Sequence, residues 1–439
     1  MRRGTGMLAV IGFGLGIALA SPSCTCGGGP ECDGGLCPGP DGCLPQSCLD
    51  LGKNCGLVFN GCEQIFCGAC APPMTCGANQ KPNVCGCDPG TWSTLPVDTL
   101  GNVGGTPSLA IDQNGGLHAS YRDESNHTLK YALATGGPNF WFPGQVFFDP
   151  DAGNMGDVGE ESAIAVDAIA GRHISYYDRT NRAVRYAHLS DVGTWTSELI
   201  DATGAGGTSI AVDDAIVAHV AYRDSTGGLW YARKPLGGTW SLEPVDTSAV
   251  GPTSIAAGRD GVVRIAYVAG PGASQARVAQ RLDAGQYDVE VVDPADSGYS
   301  VDPTVSVAVD SLGRVHLAHR RSSQVPSPQQ FVLHSQRNTD GGWSTEVVDA
   351  RAAAALGPYG VSLAVDSNAR VHYAFSDSAA ANLVYMVRST GGIWSAPEVV
   401  DAAGNVGYTP SLAITRQGVP HIAHRDETNQ DLRVSDRCQ

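Results

Sequence analysis

Apolar and polar residues alternate on both sides of a short turn in a segment that recurs along most of the chain. The copy from Ser108 to Asp123 reads SLAIDQNGGLHASYRD, with a turn of Gly and Asn between two alternating runs. Alternation with a period of two on either side of such a turn predicts a β-hairpin with one buried face. Close copies start at Ser162, Ser362 and Ser411, and looser ones begin near Ser209, Ser254 and Ser306.

Two further apolar runs complete each repeat. The third reads LKYA from Leu129, and the fourth opens with an aromatic residue and ends in Asp, as in WTSELID from Trp195. The fourth runs start at Trp92, Trp141, Trp195, Trp240, Tyr287, Trp343 and Trp394. Four short strands recurring about every 45–55 residues are typical of one propeller blade per repeat. The sequence therefore predicts an all-β fold, a seven-bladed β-propeller.

The order of the runs predicts how the ring closes. Residues 92–98 form a fourth run with no hairpin before it, and DLRVSD, just before Arg437, is a third run with no fourth run after it. We therefore expect the N-terminal strand, residues 92–98, to complete the last blade. Closure of this kind removes exposed sheet edges that could otherwise pair with other chains.

The N-terminus has the features of a secretory signal. The chain opens MRRGTG, followed by an apolar run from Met7 to Ala20 that ends Ala-Leu-Ala. A basic start, a run too short to span a bilayer comfortably and small final residues predict a signal peptide over residues 1–20. A retained membrane anchor is the alternative. No other apolar run is long enough to cross a bilayer, so we predict no transmembrane span in the remainder.

The cysteines are concentrated in one segment. Thirteen of the 14 lie between Cys24 and Cys87, in a stretch rich in Gly and Pro that has little apolar material for a core. Behind a signal peptide, this composition predicts a loop-dominated disulfide module over residues 21–90, followed by the propeller over residues 91–439. Zinc binding is the alternative, because Cys67 and Cys70 have a spacing typical of zinc ligands.

Cysteine parity predicts a bond between distant parts of the chain. Thirteen cysteines cannot all pair among themselves, and the fourteenth, Cys438, lies next to the C-terminus. We predict that Cys438 pairs with Cys85 or Cys87, which would close a very long loop. Acylation of Cys24, giving a lipid anchor, is an alternative use of one cysteine, although the residues before it lack the aliphatic residue typical of a lipobox.

Charge narrows the classes of partner. The chain has a net charge of −16 and no basic stripe, which disfavours nucleic acid and anionic membranes. The sequence predicts no cofactor. The segment from Asp149 to Asp157, DPDAGNMGD, offers carboxylates to calcium but lacks EF-hand spacing. We expect a monomer that binds a glycan or an extracellular protein.

The turns after the second run of each repeat carry the candidate ligand-binding residues. In a propeller these turns share a face with the loops that join one blade to the next. Four consecutive blades of the closed ring keep the pattern, with the pairs Arg122 and Asp123, Tyr177 and Asp178, Arg223 and Asp224, and Arg425 and Asp426. One interpretation is ordinary turn chemistry, in which these side chains bind nearby backbone. The other is a set of polar clefts between blades, in which Arg and Asp bind sugar hydroxyls beside an aromatic ring.

Two other repeated residue types are expected to be structural. The tryptophans of the fourth runs should pack between blades, because a residue repeated around the whole ring is usually scaffold. The repeated histidines should be buried and hydrogen-bonded to a strand Asp. They are His118, His173, His219, His316, His372 and His421, and Arg264 replaces them in the fourth blade.

Two segments resemble known groups. The run GKNCGLVFNGCEQIFCGACAPPMTCGANQKPNVCG is similar to a small disulfide module of bacterial surface proteins. The pattern S-x-A-x-D-x-x-G-x-x-H-x-x-Y, over residues 92–437, resembles bacterial secreted propellers of the broad sialidase-like and propeller-lectin group. Sialidase-type enzymes need an arginine triad with distinct roles, whereas Arg122, Arg223 and Arg425 occupy equivalent repeat positions. No catalytic residue is therefore predicted, and the resemblance implies a bacterial location outside the cytoplasm.

The function predicted from the sequence is a secreted or surface-attached, non-enzymatic propeller that binds glycans or a protein partner. The alternatives are a glycan-active hydrolase or lyase with a site in the central funnel, and a structural envelope component. A lone, non-repeating Glu or an Asp–Arg cluster over the funnel would favour the enzyme. Equivalent pockets between blades would favour the lectin.

Overall fold

The computed structural model describes residues 45–68, 70, 75–78, 81–88, 90–134, 141–145, 156–189, 193, 195–283, 285–294, 299–323, 329–352, 360–377 and 379–438. The chain divides into two compact units. The predicted signal peptide, Cys24 and most of the acidic segment after Asp149 lie outside the described residues. No helix in the described part of the chain has the length and hydropathy needed to cross a membrane.

The smaller unit consists of short strands and disulfides. Strands β1 (Leu57–Phe59) and β2 (Gln64–Phe66) pair antiparallel, and β3 (Thr75–Cys76) pairs with β4 (Cys85–Gly86). Its disulfides join Cys48 to Cys67, Cys55 to Cys76 and Cys70 to Cys85. The predicted disulfide-rich segment is confirmed, and the zinc alternative is wrong because Cys67 and Cys70 are each bonded to another cysteine.

The larger unit contains seven four-stranded antiparallel sheets, so the predicted seven-bladed propeller is confirmed. Strand β5 (Trp92–Asp98) comes first in the chain. Blade 1 comprises β6 (Val103–Ile111), β7 (Leu117–Asp123), β8 (Thr128–Ala134) and β9 (Trp141–Gln145). Blade 2 comprises β10 (Val158–Val166), β11 (Arg172–Asp178), β12 (Ala183–Leu189) and β13 (Trp195–Asp201). Blade 3 comprises β14 (Ser209–Val212), β15 (Ala218–Arg223), β16 (Leu229–Lys234) and β17 (Ser241–Asp246). Blade 4 comprises β18 (Val250–Ala257), β19 (Val263–Ala269), β20 (Gln275–Asp283) and β21 (Gln286–Pro294). Blade 5 comprises β22 (Tyr299–Val309), β23 (Val315–Ser323), β24 (Gln329–Arg337) and β25 (Trp343–Ala352). Blade 6 comprises β26 (Val361–Val365), β27 (Val371–Asp377), β28 (Asn382–Arg388) and β29 (Glu398–Asp401). Blade 7 comprises β30 (Tyr408–Ile414), β31 (Pro420–Asp426) and β32 (Asp431–Arg437), and β5 is its fourth strand.

The ring closes as the sequence predicts. Strand β5 pairs antiparallel with β32, with Trp92 opposite Arg437 and Asp98 opposite Leu432. Cys438 is bonded to Cys87, one of its two predicted partners, with 5.7 Å between their Cα atoms. The two ends of the propeller are therefore joined both by a strand pair and by a covalent bond.

The outer strand of blade 6 differs from the prediction. It begins at Glu398, whereas the sequence pattern places its start at Trp394, which forms only an isolated bridge with Arg388. Pro397, just before Glu398, has no N–H to donate to a neighbouring strand. The sheet is therefore shorter at this point.

The repeated aromatic residues pack between blades, as expected. Trp195 of blade 2 lies edge-on to Tyr131 of blade 1, with ring centroids 5.3 Å apart. Trp240 of blade 3 meets Tyr186 of blade 2 in the same way at 5.1 Å. Large rings buried in this way supply much of the contact between neighbouring blades.

The repeated histidines are buried and paired, again as expected. His118 Nδ1 lies 2.7 Å from the Tyr131 hydroxyl, and its Nε2 lies 3.2 Å from Asp112 Oδ2. Blades 2, 3 and 6 repeat this trio of Asp, His and Tyr. In blade 4, Arg264 instead forms an ion pair with Asp260. These residues stabilise the hairpin that joins the first two strands of each blade.

Candidate binding face and central cavity

The first strands of the seven blades surround a central cavity of about 270 Å³. Its lining consists mostly of Ser and Thr hydroxyls with Pro, Val, Ile and Ala. Among the described residues that line it, Glu161 is the only ionisable one. The cavity is therefore of mixed polar and apolar character, and one of its walls carries a carboxyl group.

The serine that begins most of the repeats forms a hydrogen bond to the neighbouring blade. Ser108 Oγ in blade 1 accepts a hydrogen bond from Ile164 N in blade 2 at 3.1 Å, and Ser411 Oγ in blade 7 accepts one from Leu109 N at 2.9 Å. The same link joins Ser254 to Val307, Ser306 to Leu363 and Ser362 to Leu412. The sequence shows this serine, but its role depends on a neighbouring blade and was not predicted.

Two of the three candidate arginines join neighbouring blades. Arg122 Nη2 donates to Asp157 Oδ1 at 2.5 Å, and Arg425 Nη2 donates to Asn102 Oδ1 at 2.8 Å. Each guanidinium also pairs with the glutamate two residues further along its own turn. Both side chains are buried. Their donors are thus largely occupied by the protein itself.

The candidate aspartates shape their own turns. Asp123 Oδ1 accepts a hydrogen bond from Asn126 N at 2.9 Å, and its Oδ2 accepts one from the Asn126 side chain. Asp178 and Asp426 make the same pair of bonds to the asparagine three residues on. Asp224 accepts bonds from Thr226, Gly228 and Trp230. This is the local turn chemistry that the sequence left open as one interpretation.

Arg223 differs from its two repeat equivalents. Ser225 stands where the other turns have the pairing glutamate. Arg223 Nε is buried without a hydrogen-bond partner, and its guanidinium forms no ion pair within 4 Å in the part of the chain that the structure describes. An unpaired guanidinium is costly unless a ligand or water binds it. Of the three candidate arginines, Arg223 is therefore the one that keeps donors without a protein partner among the described residues.

Tyr177 lies at the equivalent position of blade 2 and is only half-buried. Its partial burial raises the pKa of the hydroxyl, and the negative charge of Glu160 adds to that effect. The ring therefore offers an apolar surface and a neutral O–H, the combination that the sequence analysis expected beside a sugar.

Glu161 joins these two residues into one cluster, which we call the Glu161–Tyr177–Arg223 cluster. The carboxylate accepts a hydrogen bond from Gly207 N. A Cβ on Gly206 would touch Glu161 and lie 3.7 Å from the Tyr177 ring, and one on Gly207 would lie 2.8 Å from Arg223 Nε. The two glycines thus let three functional side chains from two blades approach each other.

Burial raises the pKa of Glu161 above that of an ordinary carboxyl group, although Arg223 and the Gly207 amide oppose the shift. Sequence reasoning missed this residue. The signal was available, because blades 1 and 7 have Thr-Pro-Ser where blade 2 has Glu-Ser-Ala, but its significance depends on the fold.

The opposite face has pockets between blades. One, of about 210 Å³, is lined by Arg370 and His372 of blade 6 and by Arg437 of blade 7. Another, of about 170 Å³, lies between blades 4 and 5 and includes Arg264 and Arg314. The two pockets use equivalent repeat positions, because Arg264 stands at the position of His372 and Arg337 at that of Arg437. The structure therefore contains both features that were expected to separate the two functions, a lone funnel glutamate and equivalent pockets between blades.

The described residues contain one cluster of His and Asp side chains that offers ligands to a metal ion, Asp167, His173 and His188 in blade 2. It lies at the hairpin end of the strands, away from the candidate binding face. The other cluster of ligand type, Cys55, Cys70 and Cys85, is already consumed by disulfides.

Comparison with known proteins supports the fold. No protein-family model matches the chain, and no curated protein matches it. A solved ulvan lyase, from a polysaccharide lyase family and bound to -[GlcA(1-4)Rha3S]-, is 13% identical with a TM-score of 0.53, covering 78% of this chain and 95% of its own. At this identity the similarity shows a propeller fold and nothing finer.

Two further similar structures have lower TM-scores. A streptogramin B lyase is 10% identical, with a TM-score of 0.46 over 79% of this chain and 98% of its own. A mutant of the Aleuria aurantia lectin in complex with α-methyl-L-fucoside is 15% identical, with a TM-score of 0.45 over 71% of this chain and all of its own.

Proposed function

We propose that this protein is a secreted or surface-attached, non-enzymatic β-propeller that binds glycans at the Glu161–Tyr177–Arg223 cluster. The unpaired guanidinium of Arg223 is the observation that carries this proposal. Its two repeat equivalents are buried and held by the next blade, Arg122 by an ion pair with Asp157 and Arg425 by a hydrogen bond to Asn102, whereas Arg223 retains donors at the same face. A guanidinium donates in a planar fork, which suits a carboxylate, a sulfate or a pair of adjacent hydroxyls.

The surroundings of Arg223 fit a sugar. The half-buried ring of Tyr177 supplies an apolar surface on which a pyranose can stack. Glu161 supplies an acceptor for hydroxyl groups, and the central cavity adds the hydroxyls of Ser and Thr. Sites of this kind, with an apolar surface and a few convergent polar groups, are typical of small-ligand pockets.

The extracellular location is supported by the disulfides. Four disulfides join pairs of described residues, and such bonds persist mainly in oxidising compartments. A net charge of −16 favours solubility outside the cell and disfavours nucleic acid as the ligand.

Glu161 favours a second candidate function, acid–base chemistry on a glycan. A carboxyl group with a raised pKa in a funnel is a common general acid or base. Glycoside hydrolysis uses a pair of carboxyl groups, and Glu161 is the only acidic residue among those described around the cavity. A lyase that needs one proton-transferring group is therefore the form of enzyme most compatible with this cluster.

The first experiment is binding of the full chain to an array of neutral, uronate-containing and sulfated glycans. We expect at least one class to bind, and we expect Arg223→Ala to weaken that binding about 10- to 100-fold, since a hydrogen bond to a charged group contributes about 1.5–3 kcal/mol. Arg233→Ala is the matched control, because it removes an exposed arginine from the same blade. No glycan binding, or equal losses in both variants, would contradict the proposal.

A second pair of variants separates the lectin from the enzyme. Tyr177→Phe should retain binding and Tyr177→Ala should weaken it, because only the second removes the ring. Mass spectrometry of bound glycans after incubation should show no new chain ends. New ends that disappear in Glu161→Gln, with binding retained, would establish the enzyme in place of the lectin.

A further inference from the structure

Blade 2 contains a cluster of three metal-ligand side chains that the proposed binding face does not use. His173 on β11 and His188 on β12 are direct partners across the two strands, so their side chains lie on the same side of the sheet. Their rings are 4.7 Å apart. Asp167, the residue after β10, completes the group, and one ligand atom from each of the three residues lies within 4.8 Å of the others.

Hydrogen bonds hold the side chains of Asp167 and His173 in place. Asp167 Oδ1 accepts hydrogen bonds from Ile169 N at 2.8 Å and Gly171 N at 2.7 Å, and Oδ2 is turned towards His173 Nε2 at 3.0 Å. The other ring nitrogen of His173 lies 2.6 Å from the Tyr186 hydroxyl. Hydrogen bonds of this type orient the ligands of known metal sites and fix the tautomer of the histidine.

His188, the third ligand, has no histidine equivalent in the other blades that keep the trio of Asp, His and Tyr. At the position opposite the repeated histidine, blade 1 has Leu133, blade 3 has Arg233 and blade 6 has Val387. These blades keep the trio of Asp, His and Tyr without a second histidine, so the scaffold does not require His188. In the described part of the chain, the ring nitrogens of His188 form no hydrogen bond, although its ring packs against His173 and Tyr186.

Charge and access are compatible with a cation. Asp167 and His173 are buried, whereas His188 is partly exposed and leaves a route from solvent. The positive charge of Lys234 acts on both histidines, but Lys234 lies over the Tyr186 ring and binds both oxygens of Glu198 at 2.5 Å. Its charge is therefore balanced, and the carboxylate of Asp167 remains to balance a metal ion.

We propose that Asp167, His173 and His188 form a binding site for a divalent transition metal, with zinc as the preferred ion. Two imidazoles and one carboxylate are ligands that zinc commonly takes, and a fourth position would be filled by water. Ligand atoms around tetrahedral zinc are about 3.3 Å apart, which follows from bonds of about 2.0–2.1 Å. The pair Asp167 Oδ2 and His173 Nε2 already lies close to this spacing, and a ring nitrogen of His188 lies within 4.8 Å of both atoms.

The test is metal titration of the full-length protein after removal of metal with a chelator. We expect calorimetry with Zn²⁺ to show one tight site, and Co²⁺ to give the visible absorption of a tetrahedral complex. The variant His188→Leu should lose that site, and the rise in Tm on adding Zn²⁺ should disappear with it. This variant installs the residue that blade 1 has at the equivalent position, so a folded protein is expected.

A variant that should gain a second Zn²⁺ site, in blade 1, provides the matched control. Blade 1 holds Asp112, His118 and Tyr131 in the arrangement of the blade 2 site but has Leu133 in place of the third ligand. The variant Leu133→His should therefore bind a second equivalent of Zn²⁺. Absence of binding by the unaltered protein, or an unchanged stoichiometry in His188→Leu, would overturn the proposal.

Discussion

Gly159 of blade 2 lies directly against the backbone of Leu129 in blade 1, so close that a Cβ on Gly159 would be 2.6 Å from Leu129 Cα. Gly159 also has a φ of +87°, a conformation that residues with a Cβ rarely adopt. The same approach recurs between blades 7 and 1 and between blades 6 and 7. Glycines at the start of the first strand of a blade therefore set the distance to the preceding blade at these three junctions.

We predict that Gly159→Ala destabilises the protein by about 3 kcal/mol or more, since the added methyl meets backbone that cannot move aside. Gly115→Ala is the matched control, because Gly115 has a φ of +84° but nothing within 4 Å of its Cβ position. That control should cost only about 1–2 kcal/mol for the backbone conformation. Urea unfolding measures both, and equal losses would show that the contact between blades is not the cause.

The bond between Cys87 and Cys438 leads to a second prediction. It joins residues 351 positions apart, so it restricts the unfolded propeller strongly. We expect the double variant Cys87→Ser and Cys438→Ser to lower the free energy of unfolding by about 3–5 kcal/mol. The double variant Cys48→Ser and Cys67→Ser, which removes a bond of the smaller unit, should leave the propeller transition unchanged. If both variants shift that transition equally, the terminal bond has no special role in closing the ring.

The repeat made most of the fold predictable. Period-two alternation, the Gly- or Asn-containing turns and the aromatic fourth runs are local features, and their sevenfold recurrence leaves few architectures open. The unmatched run at Trp92 predicted closure, and cysteine parity limited the partner of Cys438 to Cys85 or Cys87, of which the structure shows Cys87. These inferences needed no knowledge of which side chain faces which neighbour.

The sites depended on contacts between strands and blades, which the sequence does not display. Strand β10 has register shifts between Val158 and Glu160 and between Glu160 and Ala163. Strands β6 and β30 have register shifts at the same point. A bulge of this kind changes which side chains face the cavity, so alternation alone did not show that the residue at the position of Glu161 faces it. Likewise, the pairing of Arg122 with Asp157 joins two blades, which is why three arginines that look equivalent in sequence have different partners.

The buried histidines lead to a prediction about pH. Burial lowers the pKa of His372 to about 4, although hydrogen bonding to Asp366 opposes this. The unfolded chain binds a proton near pH 6.5 and the folded chain only near pH 4, so stability from the neutral ring is lost as the pH falls through this window. At pH 5 the loss from His372 amounts to about 2 kcal/mol relative to pH 8. We expect the stability difference between the unaltered protein and His372→Gln to change by about this amount between pH 8 and pH 5 in urea unfolding. A constant difference would contradict the shift.

Glu161 should produce the opposite pH dependence. Because burial raises its pKa, the folded chain binds the proton more tightly than the unfolded chain. The stability from the protonated form is fully present below the ordinary carboxyl pKa of about 4.3 and is lost as the pH rises through the higher folded value. Glu161→Gln keeps the shape and an oxygen that can accept from Gly207 N but removes the charge. We therefore expect Glu161→Gln to gain stability relative to the unaltered protein as the pH is raised from 4 to 8, measured by urea unfolding at each pH. A difference that stays constant or reverses would mean that the carboxylate is well solvated, and Glu161 would then lose its suitability as the acid or base of an enzyme.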